Sequence, residues 1–282
     1  MIKKKTLLLS LLLLISFSLF AEGRKEGGRD QSFDIKLSIG WTFGCYKETT
    51  FANIAQSILA PRYQIEANIK SGNFLHTITA DYYTARPESA MTETAVVYKT
   101  YDPVTGEIYY DASVSPLTMH KIRLQYDLNY GIIRKDGFDF YTGGSFLCNA
   151  LLQFEHYPSI TGLISIGPSA AASYQINNKN RISLTGSIPL FGYGVRPPYA
   201  GCDARLMKYA EEDFLKILTL GSFLSLHNYQ SILLNFEYTL KAAKHFSTGL
   251  GLDFEYARIA VPKERPLYYV DGNFKTFAMV NF

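Results

Sequence analysis

Ten segments of this chain alternate apolar and polar residues with a period of two, and few architectures accommodate that pattern so often. The last sixteen residues, LYYVDGNFKTFAMVNF from Leu267 to Phe282, show it most clearly. Tyr268, Val270, Gly272, Phe274, Thr276, Ala278, Val280 and Phe282 fall on one side of an extended chain, and Asp271, Asn273, Lys275 and Asn281 fall on the other. A strand turns successive side chains to opposite faces, so this segment has a greasy face and a wet one.

The same contrast recurs along the chain. Phe33, Ile35, Leu37, Ile39, Trp41 and Phe43 alternate without a break against Asp34, Lys36, Ser38, Gly40 and Thr42. That is long enough to cross a bilayer at the usual tilt, which takes ~9–11 residues. Further strands are expected over 63–69, 74–82, 122–132, 138–155, 164–176, 182–190, 232–240 and 246–256. The turns at 71–73, 134–137, 177–180 and 241–245 are tight, and the connections at 45–60, 85–116, 156–160, 196–229 and 260–266 are longer on average. The two kinds alternate strictly. A soluble sandwich has no reason to sort its loops in this way. The hairpin-like stretch at 94–114, within the excursion 85–116, leaves twelve strands as the alternative count.

The amino terminus has a different character. Lys3, Lys4 and Lys5 precede an apolar run from Leu7 to Phe20, closed by Ala21, which is the layout of a secretory signal peptide over residues 1–21. Removing its three lysines from the 28 basic residues leaves 25, against 25 acidic, so the basic excess belongs to the signal. The neutral remainder has no Lys/Arg cluster and gives no electrostatic footprint for nucleic acid. Residues 22–32 are charged and Gly-rich and read as a flexible periplasmic lead-in. The 21 Tyr, 19 Phe and 21 Gly, with only 19% charged residues, suit β structure rich in aromatics and turns.

Taken together, the signal peptide, the alternating strands, the loop asymmetry and the aromatic terminus resemble the bacterial outer-membrane β-barrel class. The resemblance covers nearly all of residues 33–282. It implies an all-β fold, a closed antiparallel transmembrane β-barrel of ten strands, with both termini on the periplasmic side and extracellular loops at 85–116 and 196–229. In that class the terminal aromatic, here Phe282, is part of the signal read by the barrel assembly machinery, and outer-membrane lipid is the surrounding partner.

Lys36, Glu66, Asp81, Arg123, Asp127, Glu237, Asp253, Glu255 and Lys275 all fall on the wet faces and are expected to point into the lumen. They form either a self-neutralising polar core or the lining of a narrow hydrophilic pore, since a barrel slightly larger than eight strands has room for water. A two-residue turn at Ser71-Gly72 would set Arg62 opposite Asp81; in the last hairpin Asp253 would face Lys275 and Glu255 would face Asn273. The functional reading is a narrow passive solute channel or a structural surface protein. The alternative is a surface adhesin or an outer-membrane enzyme, a protease or lipid hydrolase, working through rim and loops on a surface ligand.

The nearest acid–base set is Glu155, His156, His227, Glu255 and Asp271. Ten-stranded barrels include the omptin surface proteases, but no motif of theirs aligns with this chain. The five histidines are scattered without ligand spacing, so neither metal nor cofactor is expected. Cys148 reads as a small hydrophobe on an apolar face, whereas Cys45 and Cys202 fall in expected loops where a bridge between them is conceivable. Leu206, Ala210, Phe214, Ile217 and Leu218 repeat at helical spacing and suggest a short helix near 203–218.

Overall fold

Alternation becomes strand in each of the ten segments. The structure, a computed structural model, describes residues 31–48, 55–88, 96–101, 105–106, 108–113, 118–153, 159–196, 208–209, 214–261 and 263–282. The signal-peptide reading, all but the last two residues of the lead-in, and Glu155, His156 and Cys202 lie outside those residues.

The strands are β1 (Gln31–Glu48), β2 (Gln56–Ser71), β3 (Phe74–Ala85), β4 (Val96–Tyr101), β5 (Ile108–Ser113), β6 (Met119–Lys135), β7 (Phe138–Gln153), β8 (Ser159–Gln175), β9 (Asn180–Ser187), β10 (Phe191–Val195), β11 (Ser222–Ser225), β12 (Tyr229–Ala243), β13 (Phe246–Ile259) and β14 (Leu267–Asn281). Hydrogen bonding runs β8-β7-β6-β3-β2-β1-β14-β13-β12-β9 and returns from β9 to β8, so ten antiparallel strands close a barrel. The remaining strands do not enlarge the ring. β10 continues β9 along β8 after the break at Ile188–Leu190, and β11 lies against β10. β4 and β5 pair in a separate sheet, which settles the count at ten rather than twelve.

Three turns show how local chemistry sets the ends. Asp136-Gly137 joins β6 to β7 with both residues at positive φ, 52° and 78°, as a type I′ hairpin turn demands. Gly72 has φ 60° and is the first central residue of the β2–β3 turn, where the type II′ geometry places glycine. Between β8 and β9, Asn177 Oδ1 accepts from the backbone N–H of Lys179 and Asn180, both at 2.9 Å, an Asx turn made by the side chain itself. All three turns lie at one end, with the β12–β13 turn. We call this the turn end and the opposite one the loop end.

Outward positions are apolar. Leu37, Ile39, Trp41 and Phe43 on β1, and Leu250, Leu252 and Phe254 on β13, are each at least 41% exposed. A band of this kind around a closed barrel belongs in hydrocarbon, where every backbone N–H and C=O must be satisfied within the ring. At the seam between first and last strands, Phe282 donates its backbone N–H to Phe33 O at 2.9 Å, and the two rings stack with centroids 5.6 Å apart.

Several strands outrun the sequence pattern at the loop end. β1 reaches Glu48 and β2 starts at Gln56, so Cys45 is not in a loop; it is an exposed outward residue of β1. Inward residues here are Tyr46, Ile58, Ala60, Met119, Ile259 and Leu267, all buried and all apolar. With greasy residues inside as well as outside, alternation of polarity disappears although the strand continues. Where described, the expected helix over 203–218 is α-helical at 208–209 and a 3-10 helix at Phe214–Leu220, with Ile217 packed beside Val195 and Tyr209.

Candidate functional site

Filling the barrel from the loop end downward gives three layers. The first is an apolar cap in which Tyr46, Ile58, Met119, Leu224, Tyr229, Ile259 and Leu267 pack together, with Met119, Tyr229 and Leu267 at 0% exposure. Beneath it lies a belt of charge. Lys121 Nζ is 2.6 Å from Asp271 Oδ2 and 3.0 Å from Glu255 Oε2. Arg123 bridges Glu255 at 3.1 Å and Asp81 at 2.6 Å, and Arg62 meets the other oxygen of Asp81 at 3.0 Å. That last contact misses hydrogen-bonding geometry, so it is Coulombic rather than directional.

Tyrosines complete the belt. Tyr83 donates to Asp271 at 2.9 Å and Tyr269 donates to Glu255 at 2.8 Å. The Lys121 ammonium also sits 4.0 Å from the centre of the Tyr269 ring. A second set follows: Lys36 joins Glu66 at 2.7 Å and Glu237 at 2.6 Å, while Lys275 joins Glu237 at 3.1 Å and Asp253 at 2.8 Å. Such groups are costly to desolvate singly and hold only when each finds its partners.

All nine expected inward residues are buried, none more than 8% exposed, and eight of them take part in these ion pairs. The ninth, Asp127, has no such pair among the described residues. Arg62, Lys121 and Asp271 belong equally to the belt but were absent from that expected set. Each sits on the wet face of its strand, one step toward the loop end; alternation already puts Asp271 on that face and the expected turn sets Arg62 opposite Asp81, although none of the three counts among the nine.

The expected registers need correction. Asp81 faces Gln64, not Arg62, because the turn is Gly72-Asn73; Lys275 faces Gly251, Asp253 faces Asn273, and Glu255 faces Asp271. The Arg62–Asp81 and Lys275–Asp253 pairs nevertheless form, diagonally. A slip of two residues leaves every side chain on its own face, so alternation alone cannot exclude it.

Below the belt the interior opens into a cavity of about 380 Å³ that reaches the turns through Lys179 and Lys244. Its walls include Asp127, Asn129, Ser169, Ser173 and Asn235. Serines, alanines and a glycine on β8 and β9 leave this space, because short side chains on one wall cannot meet long ones from the other. Of the acid–base set, Glu255 and Asp271 are both 1% exposed and bonded to Lys121, whereas His227 is exposed in the turn before β12.

An even number of antiparallel strands, an apolar outer band, a polar interior and tight turns confined to one end define an integral β-barrel of the bacterial outer-membrane class. No protein-family model and no curated protein matches the sequence. Among solved structures it is similar to the outer membrane protease OmpT from Escherichia coli, with TM-score 0.49, 8% identity, and 92% of this chain and 99% of that one covered. It is similar also to Neisserial surface protein A (NspA), with TM-score 0.32, 10% identity and coverage of 91% and 100%. A third is the P. putida toluene transporter TodX, with TM-score 0.31, 6% identity and coverage of 91% and 90%. These names describe those proteins, and at such identities no role passes to this chain.

Proposed function

We propose that the protein is a non-conducting structural barrel that anchors surface segments in the outer membrane. The observation behind this reading is the double closure of the lumen: an apolar cap with Met119 and Leu267 at 0% exposure stands directly over a belt in which Lys121 is also 0% exposed. A hydrated solute would have to breach both layers. The closure therefore favours the structural reading over the passive-channel one. In this proposal the turn end faces the periplasm and the loop end faces outward, carrying the β4–β5 hairpin and the short β10 and β11 strands. The eight ion-paired inward residues act as internal ballast for the barrel wall rather than as a solute path. Phe282 acts as the signal for the assembly machinery, and lipid is the standing partner.

Two measurements test it. Liposomes carrying the refolded chain should not swell in small sugars, and swelling at porin-like rates would overturn the non-conducting role. An epitope inserted between Thr105 and Gly106, in the β4–β5 turn, should be reached by antibody on intact cells. Labelling only after the outer membrane is broken would reverse the orientation.

A further inference from the structure

We propose that the turn-end cavity is a binding site for a small zwitterion, about as long as a tripeptide, whose ammonium group seats on Asp127. Six buried carboxylates (Glu66, Asp81, Glu237, Asp253, Glu255 and Asp271) each have a lysine or arginine within 3.1 Å. Asp127 does not. It is 8% exposed and lines the cavity, yet among the described residues no basic nitrogen lies within ion-pair distance of it. Its two oxygens accept from the neutral Gln125 amide, at 3.0 and 2.9 Å, and the Ser145 hydroxyl beside it on β7 is a further neutral donor. Arg123, on the same face of β6, is engaged by Asp81 and Glu255. A buried carboxylate facing a polar cavity without a cation is a place where a ligand cation is stabilised.

A second acceptor points the same way. Asn235 Oδ1, on the cavity wall, is buried and has no donor among the described residues. An ammonium group carries three donors and no acceptor, so these two acceptors suit it. The mouth has the opposite sign: Lys70, Lys179, Arg181, Lys241 and Lys244 line it against Asp34 and Asp139. A purely cationic ligand is repelled there, whereas one with an anionic tail is held at both ends. From Glu237 in the belt to Lys241 at the mouth is four residues of β12, ~13 Å at ~3.3 Å per residue. An extended tripeptide spans ~10 Å. The cavity volume, about 380 Å³, lies within the range of small-molecule sites.

Calorimetry on the full chain refolded in detergent micelles tests this, with tri-alanine as the probe. Tri-alanine should bind; N-acetyl-tri-alanine, which lacks the ammonium, should bind at least about tenfold more weakly. Asp127→Asn should weaken tri-alanine by a similar factor. The pair Lys179→Gln and Lys241→Gln should weaken tri-alanine but not its C-terminal amide. No heat from tri-alanine at millimolar concentration, equal binding of the acetylated peptide, or butylamine binding as tightly as tri-alanine would each overturn the proposal. The acetylated probe is used on the unaltered protein, so a folding defect in Asp127→Asn cannot shelter it.

Discussion

Lys121→Met removes the central cation of the belt while keeping nearly the same stem in place. Lys121 holds Asp271 at 2.6 Å and Glu255 at 3.0 Å. After the change Glu255 keeps Arg123, the Tyr269 hydroxyl and the Asn149 amide, but among the described residues Asp271 keeps only the Tyr83 hydroxyl. The cost therefore falls mainly on Asp271, a carboxylate 1% exposed and left without a cation. Breaking a buried pair on one side costs ~3–5 kcal/mol, largely the penalty of the abandoned charge. Adding Asp271→Asn should return a good part of that loss, since a neutral amide can still accept from Tyr83. Trp41, the chain's single tryptophan, lies 59% exposed on the outward face of β1 and reports unfolding out of lipid by its fluorescence. With a urea slope of roughly 2 kcal/mol per M, the single variant should lower the midpoint by about 2 M. A loss below about 1 kcal/mol, or a double variant no more stable than the single one, would refute the claim that the belt is held by mutual ion pairing.

Phe282→Ser should impair insertion into the membrane far more than Phe33→Ala, which loses the same ring stacking but keeps the terminal aromatic; equal insertion of the two, scored by membrane fractionation, would assign Phe282 a packing role only. Gly137→Ala places a side chain at φ 78° in the β6–β7 turn and should cost ~1 kcal/mol in urea unfolding, with no cost sinking the type I′ assignment. Leu252→Arg puts a charge on the outward face, where Leu252 is 48% exposed, and should destabilise the inserted barrel by ~2–4 kcal/mol if it lies near the bilayer midplane. A neutral result there would move that position out of the hydrocarbon.

Where polarity alternates, the sequence was enough to locate the strands. Lys36, Glu66, Asp253 and Lys275 alternate with large outward apolar residues, and each is buried in the barrel. Legibility fails wherever the contrast between faces fails. Ile58, Met119 and Leu267 face inward but look no different from lipid-facing residues, so the apolar cap and the true strand ends were hidden. Register was hidden for another reason: Gly72 as first or second residue of its turn gives the same faces, and only the backbone geometry decides. The cavity is a property of several walls together, small residues on β8 and β9 beside Asp127 on β6, which no single segment displays. The isolation of Asp127 among paired carboxylates likewise depends on contacts between strands far apart in sequence.

The closed lumen is tested most directly by single-channel recording of the refolded chain in a planar bilayer. The unaltered protein should show no steady conductance at any holding potential at which the bilayer itself is stable. Stable, stepwise conductance from the unaltered protein would contradict the seal formed by Met119, Leu267 and the Lys121 belt, and would return the chain to the passive-channel reading.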